Sequence, residues 1–106
     1  MPGEAWIVFA TFPDVESARA IVTQLVGEKL AACGNIVSGV ESIYRWQGKV
    51  ESAAEAMAVL KTDAAHFERL QKRLTELHSC EVPECLAVPV ADGLPAYLRW
   101  LADALE

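Results

Sequence analysis

Basic residues are scarce in this chain. Nine lysines and arginines stand against fifteen aspartates and glutamates, a formal net charge of −6 over 106 residues. Nucleic-acid binding draws on a positive patch, and this balance excludes it as a primary function. The same sign gives no attraction to an anionic membrane surface. No apolar run approaches the ~20 residues that a membrane-spanning helix requires. The N-terminal MPGEAWIVFA has neither a basic leader nor a long apolar core, so no secretory signal is expected. Histidine is limited to His66 and His78, and the three cysteines, Cys33, Cys80 and Cys85, form no CxxC pair. No disulfide framework follows from an odd count of thiols without a signal, which points to a reducing, cytoplasmic setting. Gly-rich phosphate loops, HExxH and Ser/His/Asp constellations are missing. We therefore expect no enzyme.

What is present is apolar: 53 % of residues, enough for one core and one domain over residues 1–106. The informative stretch is IVSGVESIYRWQGKVESAAEAMAVLKT, from Ile36 to Thr62. Two alternating runs flank Gln47-Gly48, which is a hairpin signal, and Gly48 supplies the positive φ of a tight turn. Val40, Ser42, Tyr44 and Trp46 share one face of the first run. Ser38-Gly39 suggests a bulge before them. The second run, Lys49 to Thr62, would extend roughly 45 Å at ~3.3 Å per residue. A domain of this size has a radius of gyration of about 13 Å, so the tip is expected to project and to be covered by another copy of the chain. The competing arrangement is a hairpin that bends at Gly39 and curls over its own core.

Elsewhere, AWIVFATF (Ala5 to Phe12) reads as a buried strand. Asp14 caps a helix over about Asp14 to Lys29, and Asp63 caps a second over Ala64 to His78 with the stripe Phe67, Leu70, Leu74 and Leu77. CLAVPV, from Cys85 to Val90, reads as a short strand whose Pro89 lies at a sheet edge or near the strand end, and Pro95 opens a last helix. The order is a split βαβ: an α+β, ferredoxin-like βαββαβ sandwich with a long β2–β3 hairpin and an extra C-terminal helix. The sheet face away from the first two helices must be covered by the last helix or by a partner.

Six motifs in register resemble one family. TFPD, EKLAACGNI, SIYRWQGKVE, LKT, EVPE and GLPAYLRWL are similar to the CutA divalent-ion-tolerance proteins along nearly the whole chain. The resemblance implies a homotrimer whose hairpins reach across neighbours, and a role in response to copper and other divalent cations. No obligatory cofactor is implied. The family trimer also resembles the nitrogen-regulatory PII proteins, which implies as the alternative a small effector held in clefts between subunits. In some bacterial relatives the proposed copper ligands are a Cys before the TxPD motif and a His-His pair ending the second helix. The matching positions here are Ala10, Leu77 and His78, so two of three ligands are replaced.

The candidate site residues follow. His78 is either a metal ligand, with Cys80 two residues on as a replacement thiolate, or a hydrogen-bonded group at a helix end. Cys80 is otherwise a small apolar filler, and Cys33 and Cys85 read as core thiols. Lys61 would hold an anionic ligand in a cleft, or serve as a strand-end charge. Tyr44, Trp46 and Trp100 would line a cleft or an interface. Glu81 and Glu84 flank Pro83 and point to opposite sides, so a shared carboxylate site is disfavoured against pairing of one with Lys61 or Arg45. His66 is expected to face solvent.

Overall fold

The computed structural model describes residues 4–106. Met1 to Gly3, the start of the stretch read for targeting signals, lie outside the described residues. The element order is β1 (Ala5–Phe12), α1 (Val15–Gly27), β2 (Cys33–Trp46), β3 (Lys49–Asp63), α2 (Ala64–Leu77), β4 (Cys85–Pro89) and α3 (Pro95–Ala104). The strands form one antiparallel sheet in the order β2-β3-β1-β4. This is the ferredoxin-like α+β sandwich expected from the pattern.

Local chemistry fixes the element ends. Asp14 Oδ1 accepts from the Ser17 amide at 2.7 Å, and Asp63 Oδ1 accepts from the His66 amide at 2.8 Å, each satisfying an orphan donor of a first helical turn. α1 stops two residues earlier than expected, because Lys29 takes a left-handed φ of 60°. α2 stops at Leu77, and His78 is its extended C-cap. Gln47 and Gly48 both have positive φ, 49° and 78°, which is the tight turn whose twist matches its strands.

One sheet face carries Val8, Phe12 and Leu60 into the core, where Leu25 of α1 and Leu70 and Leu74 of α2 close over them. The other face is only partly covered. Leu101 and Leu105 of the α3 region pack with Ala32 and Ala5 at one end. Val37, Leu86 and Val88 stay exposed, so α3 does not cover that face alone.

The hairpin does project. The principal extents are 47 × 25 × 22 Å, and the ribbon does not curl over its own core. Its tip is apolar and open: Val50 is 70 % exposed, Ile43 68 % and Trp46 58 %. The expected bulge is there. Val37 pairs with Met57 and Val40 with Glu55, so three steps along β2 match two along β3, with Gly39 at φ 71°. Among the described residues no helix is long and apolar enough to cross a membrane.

Candidate functional site

Past the bulge, the alternation of β2 puts Tyr44 opposite Glu51 and Ser42 opposite Ala53. These residues, with Trp46 and Glu55, therefore lie on the sheet face away from α1 and α2. They form one wall of an open cavity of about 420 Å³. The chain after α2 forms the other wall with Cys80, Val82, Pro83 and Glu84, and Thr11 and His78 lie between. Glu51, Glu55 and Glu84 are its charged residues, with no lysine or arginine in the lining. Such a concavity favours cations over anions.

His78 ties the two walls together. Its Nε2 lies 2.8 Å from the Thr11 carbonyl oxygen, and its Nδ1 lies 3.0 Å from the Cys80 amide nitrogen. A carbonyl only accepts and an amide N–H only donates, so Nε2 carries the proton and Nδ1 supplies the lone pair. Phe12 stacks on the ring at 5.1 Å and 27°. Cys80 itself is exposed, whereas Cys85 is half-buried, and burial first, then the Glu84 charge, pushes its thiol up to about 11.

Five sequence candidates thus meet at one cavity: Tyr44, Trp46, His78, Cys80 and Glu84. Lys61 does not join them. It shares their sheet face, but it pairs with Ile7 and Cys33 and donates to Asn35 Oδ1. Six residues of extended strand separate it from Glu55, about 20 Å. Among the described residues no ion pair links Glu84 to Lys61 or Arg45. Trp100 is away from the cavity, with its ring 5.5 Å from Tyr97 on α3. Tyr97 in turn lies 3.5 Å from Cys33 Sγ, and that hydrogen bond raises the phenol's pKa. His66 is not solvent-facing as expected: its Nδ1 meets Asp63 Oδ1 at 2.6 Å, half-buried beside the helix cap. Thr11, Glu51 and Glu55 were absent from the sequence candidates. The signal that finds Glu51 and Glu55 is the register of the hairpin once the bulge is placed, because it sets Glu51 across from Tyr44 and Glu55 across from Val40, whereas Thr11 depends on the long-range pairing of β1 with β3.

The residues present do not fit an imidazole–thiolate copper centre within one chain. Ala10 is fully buried in the core, Leu77 packs against it, and both His78 nitrogens are engaged. Among the described residues no group of three or more His, Cys, Asp or Glu side chains is placed to hold a metal ion.

Comparison with known proteins places these features in company. Residues 6–104 match the family described as CutA1 divalent ion tolerance protein. The divalent-cation tolerance protein CutA of Thermus thermophilus is 46 % identical over 97 residues, covering 92 % of this chain and 94 % of that one. The chloroplastic CutA of Arabidopsis thaliana is 40 % identical over 98 residues, and the chain spans about half its length, 54 %. The crystal structure of CutA from Xylella fastidiosa superposes with a TM-score of 0.95 at 41 % identity, covering 98 % of this chain and all of that one.

Proposed function

The chain belongs to the CutA1 divalent ion tolerance family, and from that premise we propose that it acts in the response to divalent cations as a homotrimer. The observation that carries the reading is the match of family sequence and fold over nearly the whole chain. The projecting apolar hairpin supports assembly, since a bare two-stranded ribbon is marginal in water and exposes unpaired edges. The acidic cavity beside the hairpin would attract a cationic ligand through the charge of Glu51, Glu55 and Glu84, although within one chain these carboxylates and the Cys80 thiol do not converge as a coordinating set. Copper and other divalent cations are the ligands to test. The three unpaired thiols suit the cytoplasm.

Calorimetric titration of the purified protein with copper(II), copper(I) and zinc(II) tests direct binding. Saturable binding that weakens in Glu84→Gln and Cys80→Ser is the expected result. Absence of saturable binding tighter than ~100 µM, a weak affinity of about −5.5 kcal/mol, would remove the direct-binding part of the reading. Light scattering tests the trimer separately.

A further inference from the structure

The loop from His78 to Glu84 has no regular secondary structure, yet it forms a whole wall of the cavity. Something must hold it against the end of β1. The only side chain in it that bonds on both sides is His78, which donates from Nε2 to Thr11 O and accepts at Nδ1 from the Cys80 amide. Phe12, fully buried, fixes the ring plane from below.

We infer that His78 is a positioning residue: a neutral imidazole in the Nε2–H tautomer that clips the 78–84 loop to β1 and sets the cavity wall, and that it is not a metal ligand. The chemistry is exclusive. A metal takes a ring nitrogen through its lone pair, and a neutral imidazole has one such pair. Here that pair accepts the Cys80 amide. Metal at Nδ1 would leave that N–H without its acceptor. Metal at Nε2 would need the lone pair there, moving the ring proton to Nδ1, where it would face the Cys80 N–H donor to donor, and leaving the Thr11 carbonyl without its hydrogen bond. Coordination at either atom therefore costs the 78–84 loop at least one of the hydrogen bonds through which His78 ties it to β1. Any cation held there is held by the carboxylates or by the Cys80 thiol, with the imidazole as part of the wall. The inference rests on the cavity reading above only in saying what the wall encloses, because the tautomer can be read without any ligand.

The test is nitrogen NMR of ¹⁵N-histidine-labelled protein at neutral pH, with and without excess zinc(II). The expected spectrum shows a protonated Nε2, a bare Nδ1, and no movement of either on adding zinc. His78→Ala should speed exchange of the Cys80 amide by roughly five- to tenfold, the loss of about one hydrogen bond. His78→Asn, whose Oδ1 can accept where Nδ1 did, should bring that rate back to within about threefold. If the alanine variant fails to fold, the spectrum of the unsubstituted protein still decides. An Nδ1–H tautomer, or His78 resonances that move with zinc and a zinc affinity that His78→Asn abolishes, would overturn the inference. Zinc bound elsewhere with His78 unmoved supports it and leaves the divalent-cation reading intact. No zinc bound anywhere, with the tautomer as stated, supports it and counts against direct binding.

Discussion

Trp46→Ala is the sharpest probe of assembly. Trp46 sits beside the turn of the hairpin and is 58 % exposed in the single chain. A buried indole covers ~250 Å², so about 145 Å² of Trp46 is open to a partner. At ~25 cal/mol per Å² that area is worth about 3.6 kcal/mol, near the usual 2–4 kcal/mol of an aromatic interface anchor. In the proposed cyclic trimer three such residues would be buried, so the substitution would remove about 10 kcal/mol, some seven orders of magnitude in the association constant. Light scattering after size exclusion, repeated on dilution from micromolar to nanomolar, should show the variant dissociating where the unsubstituted protein does not. Its melting temperature should also become concentration-dependent. Val50→Asp on the other face of the ribbon is a companion. Val50 pairs with Arg45 across the strands, so a carboxylate there is tolerated by the hairpin itself and any dissociation reports the interface. Arg19→Ala, on an exposed position of α1, should change nothing. A Trp46→Ala trimer that survives dilution with an unchanged melting curve, or an unsubstituted protein that is monomeric at micromolar concentration, would refute the reasoning.

Three further outcomes are expected. Gly34→Ala would place a Cβ 2.6 Å from Val22 Cγ1 and 2.8 Å from Leu60 Cδ2, and overpacking of this kind costs about 1–3 kcal/mol; a thermal melt should fall by several degrees, and an unchanged melt would mean that α1 does not press on β2. The Ser17 backbone amide, then its hydroxyl, lowers the pKa of Asp14, and Gln24, then Arg73, lowers that of Glu28. Both groups therefore bind protons less readily folded than unfolded, so they stabilise fully above the ordinary values of 3.8 and 4.5, and this is lost as pH falls through the lower folded values. Denaturant midpoints should drop in that acid window, and the Asp14→Asn, Glu28→Gln double variant should show a shallower drop. Ellman's reagent at pH 8 should titrate exposed Cys80 rapidly and Cys85 slowly, since a thiol held near 11 is only about 0.1 % thiolate there; equal rates would contradict the burial of Cys85.

Where a residue type has one local use, the sequence was readable. Asp14 and Asp63 precede periodic apolar stripes, and both are caps. Gly48 and Gly39 sit where the chain needs positive φ, and they mark the turn and the bulge. The cavity was half readable. Tyr44 and Trp46 followed from alternation, but their companions Glu51 and Glu55 depend on cross-strand register, which a one-residue slip would change. Lys61 was a cleft candidate as the charge ending the long strand; it shares the cavity's sheet face, and the length of β3 keeps it away. The histidines divide: His66 was expected to face solvent and does not, whereas for His78 the hydrogen-bonded group at a helix end, one of its two readings, is what the structure shows. What an imidazole does is set by the acceptor or donor beside each nitrogen, here Asp63 for His66 and Thr11 with Cys80 for His78. Thr11 is far from His78 in the chain, so no local pattern announces the bond.

The ribbon is registered twice, once where Cys33 meets Lys61 and again where Trp46 meets Lys49, and the two settings disagree by a single residue that the Ser38-Gly39 irregularity absorbs. Bulges bend and overtwist the strand that carries them. Shortening the chain by Gly39 alone would reconcile the two settings, leave Tyr44 across from Glu51, and straighten the arm. The direction in which this protein reaches is thus a matter of chain length at one point, separable from the chemistry at its fingertip, and a lineage could re-aim the arm by an indel while every contact surface kept its residues.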